Sequence, residues 1–331
     1  MPVITVGGTG TTSAGNTFGD MIEKVYRNTL GAKREKIITL ANAIGSNDTT
    51  VNLAGPQTST LAPGFVLGVE LEMLYVQDWN SSTGVATVIR GYYNSVPATH
   101  ADNSTVVMNP AYSRYDISVE INNDLRSLSS PTNGLYRVGV AEVTWNPVFQ
   151  GYDLGALPNN FVDILEVRYK IAPPYRTYPP IRKWKVLRQV PDSDFPSGQA
   201  IVFYEAGWPG LPVYITYSAP FIPLVNVADD PFNTPASNDP NPPYNGYSTG
   251  TVANLPNTAY DLPPLGAEIA LVAPREIGRN SMESQPDPRK AADVPAGAVG
   301  GSINALIARR NARISEESDR LKRQYTKVRG W

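Results

Sequence analysis

Residues 66–93 read VLGVELEMLYVQDWNSSTGVATVIRGYY. Apolar and β-branched residues fill VLGVELEMLYV and VATVIRGYY, and Asn80-Ser81-Ser82-Thr83-Gly84 between them has the composition of a hairpin turn. Two strands joined so tightly pair antiparallel, so the stretch sets a β fold rather than a parallel α/β one. KIITLANA (36–43), TTVNLA (49–54) and STVVMN (104–109) are further strand-like runs on either side. Residues 36–110 are therefore expected to form a small antiparallel β domain.

Composition agrees. Thirty Pro and 27 Gly beside 18% charged residues favour short strands, turns and extended connections over a helical bundle. At 331 residues the chain has room for two domains of ordinary size. The absence of Cys excludes disulfides, thiol nucleophiles and thiolate metal sites. A net charge of −2 makes no global case for nucleic-acid binding. No apolar run is long enough to span a bilayer and no signal-peptide pattern opens the chain, so a soluble protein made in a cytoplasm, with no membrane partner, is expected.

The other segments are taken in chain order. Residues 1–35 are expected to be an arm and a helix. The arm's GGTGTTSAG resembles a phosphate loop only superficially, since Ser13 stands where a third glycine after Gly8 and Gly10 is needed, and no Walker lysine follows. The helix starts at Thr17 with Asp20 at its third position, carries Phe18, Met21, Ile22, Val25, Tyr26 and Leu30 on one face, and stops at Gly31. A second helix is expected from Ser113 to Leu128, capped by Ser113 and Asp116, with Ile117, Ile121, Leu125 and Leu128 on one face. Residues 111–134 then connect two domains. His100 is read as a loop residue, because a lone histidine with no second His or Cys is a poor metal site and no Ser/Asp pattern makes it a base.

Residues 135–221 return to strands: LYRVGVAEVTW, VDILEVRYK, WKVLRQV, QAIVFYE and LPVYITYSAPF, spaced as in a sandwich or jelly roll. Trp145, Trp184 and Trp208 pack a core on this reading, and an exposed sugar-binding face is the competing use of the same rings. Residues 222–301 are proline- and glycine-rich and are expected to be an extended arm; their Asp and Asn residues do not have EF-hand spacing. Within them a helix starting at Pro263 or Pro264, burying Leu265, Ile269 and Leu271, is expected to bend or break at Pro274.

Residues 302–331 form a C-terminal amphipathic helix and tail. Ser302 is its expected N-cap, and Ile303, Leu306, Ile307, Ile314, Leu321 and Tyr325 make a narrow apolar stripe. Arg309, Arg310, Arg313, Arg320 and Arg323 belong to a set of eight basic against three acidic residues, so the remaining 301 residues carry −7. Pairs at i,i+4 (Arg313–Glu317, Glu316–Arg320, Asp319–Arg323) support such a helix even when it is merely solvated. A stripe this thin suits docking on another protein better than core packing. Deleting 302–331 is expected to leave the β domains folded and to abolish docking.

Three strings carry a resemblance. They are ELEMLYVQDWNSSTGVATVIRGYYNSVPATHAD (70–102), SRYDISVEINNDLRSLSSPTNGLYRV (113–138), and PREIGRNSMESQPDPRKAADVPAGAV (274–299) leading into RISEESDRLKRQY (313–325). Together they resemble structural proteins of tailed-bacteriophage virions that join head to tail. The first is similar to a β module with Arg90-Gly91 before a loop holding Ala98 and His100; Asn94-Ser95 stand where such loops often show Gly-Thr. The resemblance implies a non-enzymatic connector of adaptor or neck type, without cofactor, at the head–tail junction of the virion. It implies a cyclic homo-oligomer, twelve-fold in that family, with portal and tail or neck proteins as partners and a passing contact with packaged DNA. The alternative from another class is a virion-displayed jelly roll that binds host or surface glycans, or a minor tail component.

Overall fold

A computed structural model of the chain describes residues 17–30, 35–149, 151–171, 177–205, 207–225, 255–283 and 298–325. The N-terminal arm, Gly31, most of the proline-rich segment, 284–297 and the tail 326–331 lie outside them. The chain divides into two compact units, Met1–Asp124 with Pro263–Ala308, and Leu125–Leu262 with Arg309–Trp331. The architecture is mainly β with a few helices, all of its named sheets antiparallel. Among the described residues no helix is long and apolar enough to cross a membrane.

In the first unit six strands close into a barrel: β1 (Lys36–Leu40), β2 (Thr50–Ala54), β3 (Val66–Val69), β4 (Glu72–Asn80), β5 (Val85–Ile89) and β6 (Thr105–Met108), in the order β1-β2-β5-β4-β3-β6. Closure comes from β1 pairing with β6, Ile37 opposite Val107 and Ile38 opposite Val106. Alternate strand residues fill the interior, among them Ile38, Leu40, Val51, Leu67, Val69, Leu74, Val76, Val88 and Val106. The β4–β5 hairpin turns where expected: the Gly84 amide bonds the Asn80 carbonyl at 2.9 Å, and Gly84 takes φ 72°, a conformation that favours glycine.

The run VLGVELEMLYV is not one strand. It is β3 and β4 paired as a hairpin, with Val69 opposite Glu72 and Glu70 at φ 50° in the turn. No Gly, Asn or Asp marks that turn.

Helix α1 (Phe18–Leu30) opens with the expected capping box: the Thr17 amide reaches Asp20 Oδ2 at 2.9 Å and the Asp20 amide reaches Thr17 Oγ1 at 3.3 Å. Phe18, Met21, Ile22 and Val25 are buried. Helix α2 (Arg114–Leu128) repeats the device through Ser113 and Asp116, and Ile117, Ile121, Leu125 and Leu128 are buried. Arg114 joins the two helices, bonding Glu23 and lying 4.3 Å over the Tyr26 ring.

In the second unit β7 (Arg137–Thr144), β12 (Pro212–Ala219) and β9 (Asp163–Tyr169) form one sheet, with β12 in the middle. A second sheet orders β10 (Trp184–Arg188), β11 (Gln199–Phe203) and β8 (Gly151–Asp153). Side chains of both share one core, including Ile164, Val167, Trp184, Ile201, Phe203, Val213 and Ile215. The short β8 carries no periodic signal in the sequence. Gly139 sits opposite Tyr217, and a Cβ there would lie 2.5 Å from the tyrosine ring, so the ring packs on bare backbone.

Helix α3 (Leu262–Glu283) is the helix expected within residues 222–301, starting one residue before Pro263, and it runs on through Pro274. Loss of one N–H and the ring's clash bend a helix without necessarily ending it. Leu265 is buried as expected, whereas Ile269 and Leu271 are half-buried. Helix α4 (Ala298–Gln324) begins four residues before Ser302, so Ser302 lies inside it and is not its cap.

Candidate functional site

Two constellations stand out, the terminal helix anticipated from the sequence and a buried charge cluster that was not. In the second unit the distal half of α4 is held by a charged anchor. The Arg313 guanidinium grips Asp261 at 3.1 and 3.2 Å, donates to the Thr258 carbonyl at 2.7 Å, and also pairs with Glu316 and Glu317. Glu317, buried, accepts from the Thr258 hydroxyl at 2.7 Å. The bond to Asp261 is the main cause that raises the Arg313 pKa further above its ordinary value, so its charge is permanent. Ile314 and Ser318 are buried beside this anchor, and Arg310 reaches Ser127 Oγ at 3.0 Å.

Leu321 and Tyr325, half-buried, line a groove of about 320 Å³ with Tyr136, Val138, Val162 and Leu165. The structure thus brings Arg310, Arg313, Ile314, Leu321 and Tyr325 onto the second unit. It leaves Arg309, Arg320, Arg323 and Ile307 exposed, and Ile303 and Leu306 half-buried. The acidic residues pair mostly at i,i+3 (Arg313–Glu316, Arg320–Glu317, Lys322–Asp319) rather than at the expected i,i+4, of which Arg313–Glu317 forms. Side-chain length and rotamer choose between these two neighbours, and spacing alone does not.

In the first unit the Glu72 carboxylate, with no exposed side-chain surface, collects five donors. Oε1 takes Arg90 Nε at 2.7 Å and the Gly91 amide at 3.2 Å; Oε2 takes Arg90 Nη2 at 2.7 Å, His100 Nε2 at 2.8 Å and the Ala98 amide at 3.0 Å. Arg90 completes its own set on three carbonyls, those of Gly45 and Ala98 at 2.6 Å and Asp48 at 3.0 Å. His100 is buried and its other nitrogen lies 3.1 Å from Glu70 Oε2. Its backbone pairs with Ile44 in both directions at 3.0 Å.

The electrostatics follow from these contacts. Burial opposes ionisation of Glu72, but Arg90, His100 and the Ala98 amide outweigh it and hold its pKa down at about 2. Burial would likewise lower the His100 pKa, yet its bonds to Glu72 and Glu70 prevail and raise it. Chemically the cluster is a fastener. Its bonds tie the segment 90–100 to Glu72 at the start of β4.

Asn94 and Ser95 have specific places in that loop. Tyr93 and Asn94 are both left-handed, at φ 56° and 65°, and asparagine tolerates this better than most residues. Ser95, buried, supplies the hydroxyl: its Oγ accepts from the Met73 amide at 2.8 Å and donates to the Tyr92 carbonyl at 2.9 Å. His100 is thus a loop residue, as its sequence context implies, but one buried in the interior. The available signal was a buried-type carboxylate, Glu72, within a strand whose other neighbours are apolar.

Trp145 and Trp184 are buried in the sandwich core, with Trp145 ring-to-ring with Phe203 at 5.6 Å, while Trp208 is 49% exposed. Among the described residues no group of three or more His, Asp or Glu is arranged to hold a metal ion. No protein-family model matches the chain, and no curated protein sequence is significantly similar to it.

Proposed function

We propose that the chain is a non-enzymatic structural subunit of a tailed-phage virion. In this reading it forms a homo-oligomeric ring at the head–tail connection and docks on portal and tail or neck proteins through its helices and arms. The 135–221 body serves as the jelly-roll-like part of such a subunit, and contact with packaged DNA is incidental. The observation that supports this most is the division of labour along α4. Arg313, Ile314 and Glu317 clamp the distal part of the helix to the second unit, and Arg309, Arg320 and Arg323 face solvent. A helix held so firmly by one side offers its other side without the entropy cost of ordering it on contact. Exposed charge steers and orients an encounter, and here four exposed cations (Arg309, Arg320, Lys322 and Arg323) outnumber the exposed Glu316 and Asp319.

The glycan-binding alternative loses Trp145 and Trp184, whose rings face the core, and keeps only Trp208 of the three. Deleting 302–331 is no longer the clean test, because it would also strip Asp261 of its guanidinium and uncover the Ile314 seat. Arg309→Glu with Arg323→Glu avoids both. Particles assembled with this variant are expected to incorporate it at least about tenfold less than the parent, as loss of about 1.4 kcal/mol would give. Normal incorporation of the folded variant overturns the reading.

A further inference from the structure

His100 is the single histidine of the chain, and both its ring nitrogens meet carboxylates, Glu70 at 3.1 Å and Glu72 at 2.8 Å. An ionised carboxylate only accepts, so both contacts require an N–H on each nitrogen, which is the imidazolium form. The two acceptors differ in kind. Glu72 is sealed in with Arg90, whereas the Glu70 side chain is 60% exposed. The other charged groups of the neighbouring loops are Arg90, bonded to the same Glu72, and two exposed carboxylates. These are Asp48, on the 45–48 loop that Arg90 holds, and Asp102, two residues past the histidine. A neutral imidazole keeps one N–H. Glu72 has no access to water and retains that bond, while Glu70 faces a lone pair and is free to turn into solvent.

We infer that His100 is a proton-operated latch: doubly protonated, it fastens the Glu70–Leu71 turn to the 91–102 loop, and on losing a proton it releases that turn while the Arg90–Glu72 pair keeps the barrel closed. Three loops meet at the ring, since the His100 backbone also pairs with Ile44. The sign is fixed by the direction of the His100 shift. Its folded-state pKa is raised, so the latch is fully closed below the ordinary histidine range and opens as pH rises through the folded value.

With one histidine, proton NMR of the imidazole ring in the full-length protein titrates the latch without ambiguity. The midpoint is expected above that of an ordinary histidine. Amide exchange at Ile44 and His100, corrected for its intrinsic pH dependence, is expected to rise at least about tenfold across that midpoint, as for a local opening. Glu70→Gln, a change at an exposed position that the fold tolerates, is expected to weaken proton binding about two- to fivefold, the range for a partly exposed pair, and to abolish the exchange step. A midpoint at or below the ordinary histidine value, a midpoint indifferent to Glu70→Gln, or exchange that stays flat across the midpoint each overturns the latch.

Discussion

Replacing Arg90 by Met tests the buried cluster most directly. Met keeps the apolar stem and removes a guanidinium that makes five hydrogen bonds, two to Glu72 and one each to the carbonyls of Gly45, Asp48 and Ala98. Glu72 is then left with His100 and two amides in a site that no water reaches. Two routes give the magnitude. Truncating one partner of a buried pair costs about 3–5 kcal/mol. Independently, holding Glu72 at about 2 instead of 4.5 is worth about 3 kcal/mol at neutral pH, of which Arg90 is the largest favourable contributor. Orphaned carbonyls add to whatever share His100 retains, so a loss of about 3 kcal/mol is expected, with the melting of the barrel lowered by at least about 12 °C.

The assay is amide exchange at Val76 and Val88, whose N–H groups bond Phe65 and Thr49 and report opening of the barrel alone. Exchange should accelerate on the order of a hundredfold. Because the penalty is chiefly an unpaired buried charge, Glu72→Leu in the Arg90→Met background should recover part of it, with a coupling of at least about 2 kcal/mol. Additivity of the two changes within about 0.5 kcal/mol would refute the reasoning.

Acid should act on the same cluster: the Glu72 pKa is depressed, so its contribution is complete above about 4.5 and disappears as pH falls toward about 2, and barrel stability measured by urea titration should decline across that window. Glu72→Gln should flatten the decline. In the second unit Gly139→Ala drives a methyl into the Tyr217 ring and should cost about 1–3 kcal/mol, read as a lower denaturation midpoint; pairing with Tyr217→Ser should relieve most of it. Arg313→Ala leaves Asp261 without its cation and buried Glu317 with only Arg320 at 3.9 Å, and should expose 309–325 to limited proteolysis, while Arg309→Ala should leave the cleavage rate unchanged.

By itself the sequence determined whatever is settled within about one turn of chain. Thr17 with Asp20, and Ser113 with Asp116, fix two helix starts because each cap satisfies amides three residues away. Asn80 and Gly84 fix the β4–β5 hairpin through a single local carbonyl and a left-handed glycine. Alternation fixes which strand residues face inward, hence an antiparallel β architecture.

Tertiary structure alone decided the rest. Barrel closure depends on β1 finding β6, distant in sequence, with no local mark on either. Glu70 turns without turn residues, and the Glu72 that follows it finds its partners far along the chain, Arg90, 18 positions on, and His100, 28 on. The same convergence moves a histidine with loop-like neighbours into the interior. Along α4, periodicity shows an apolar stripe and abundant arginine, but only Asp261 and Thr258 decide that Arg313 anchors while Arg309 and Arg323 stay free to meet solvent. Propensity is a property of neighbours in the chain, whereas desolvation of a charge depends on every group that folding brings around it.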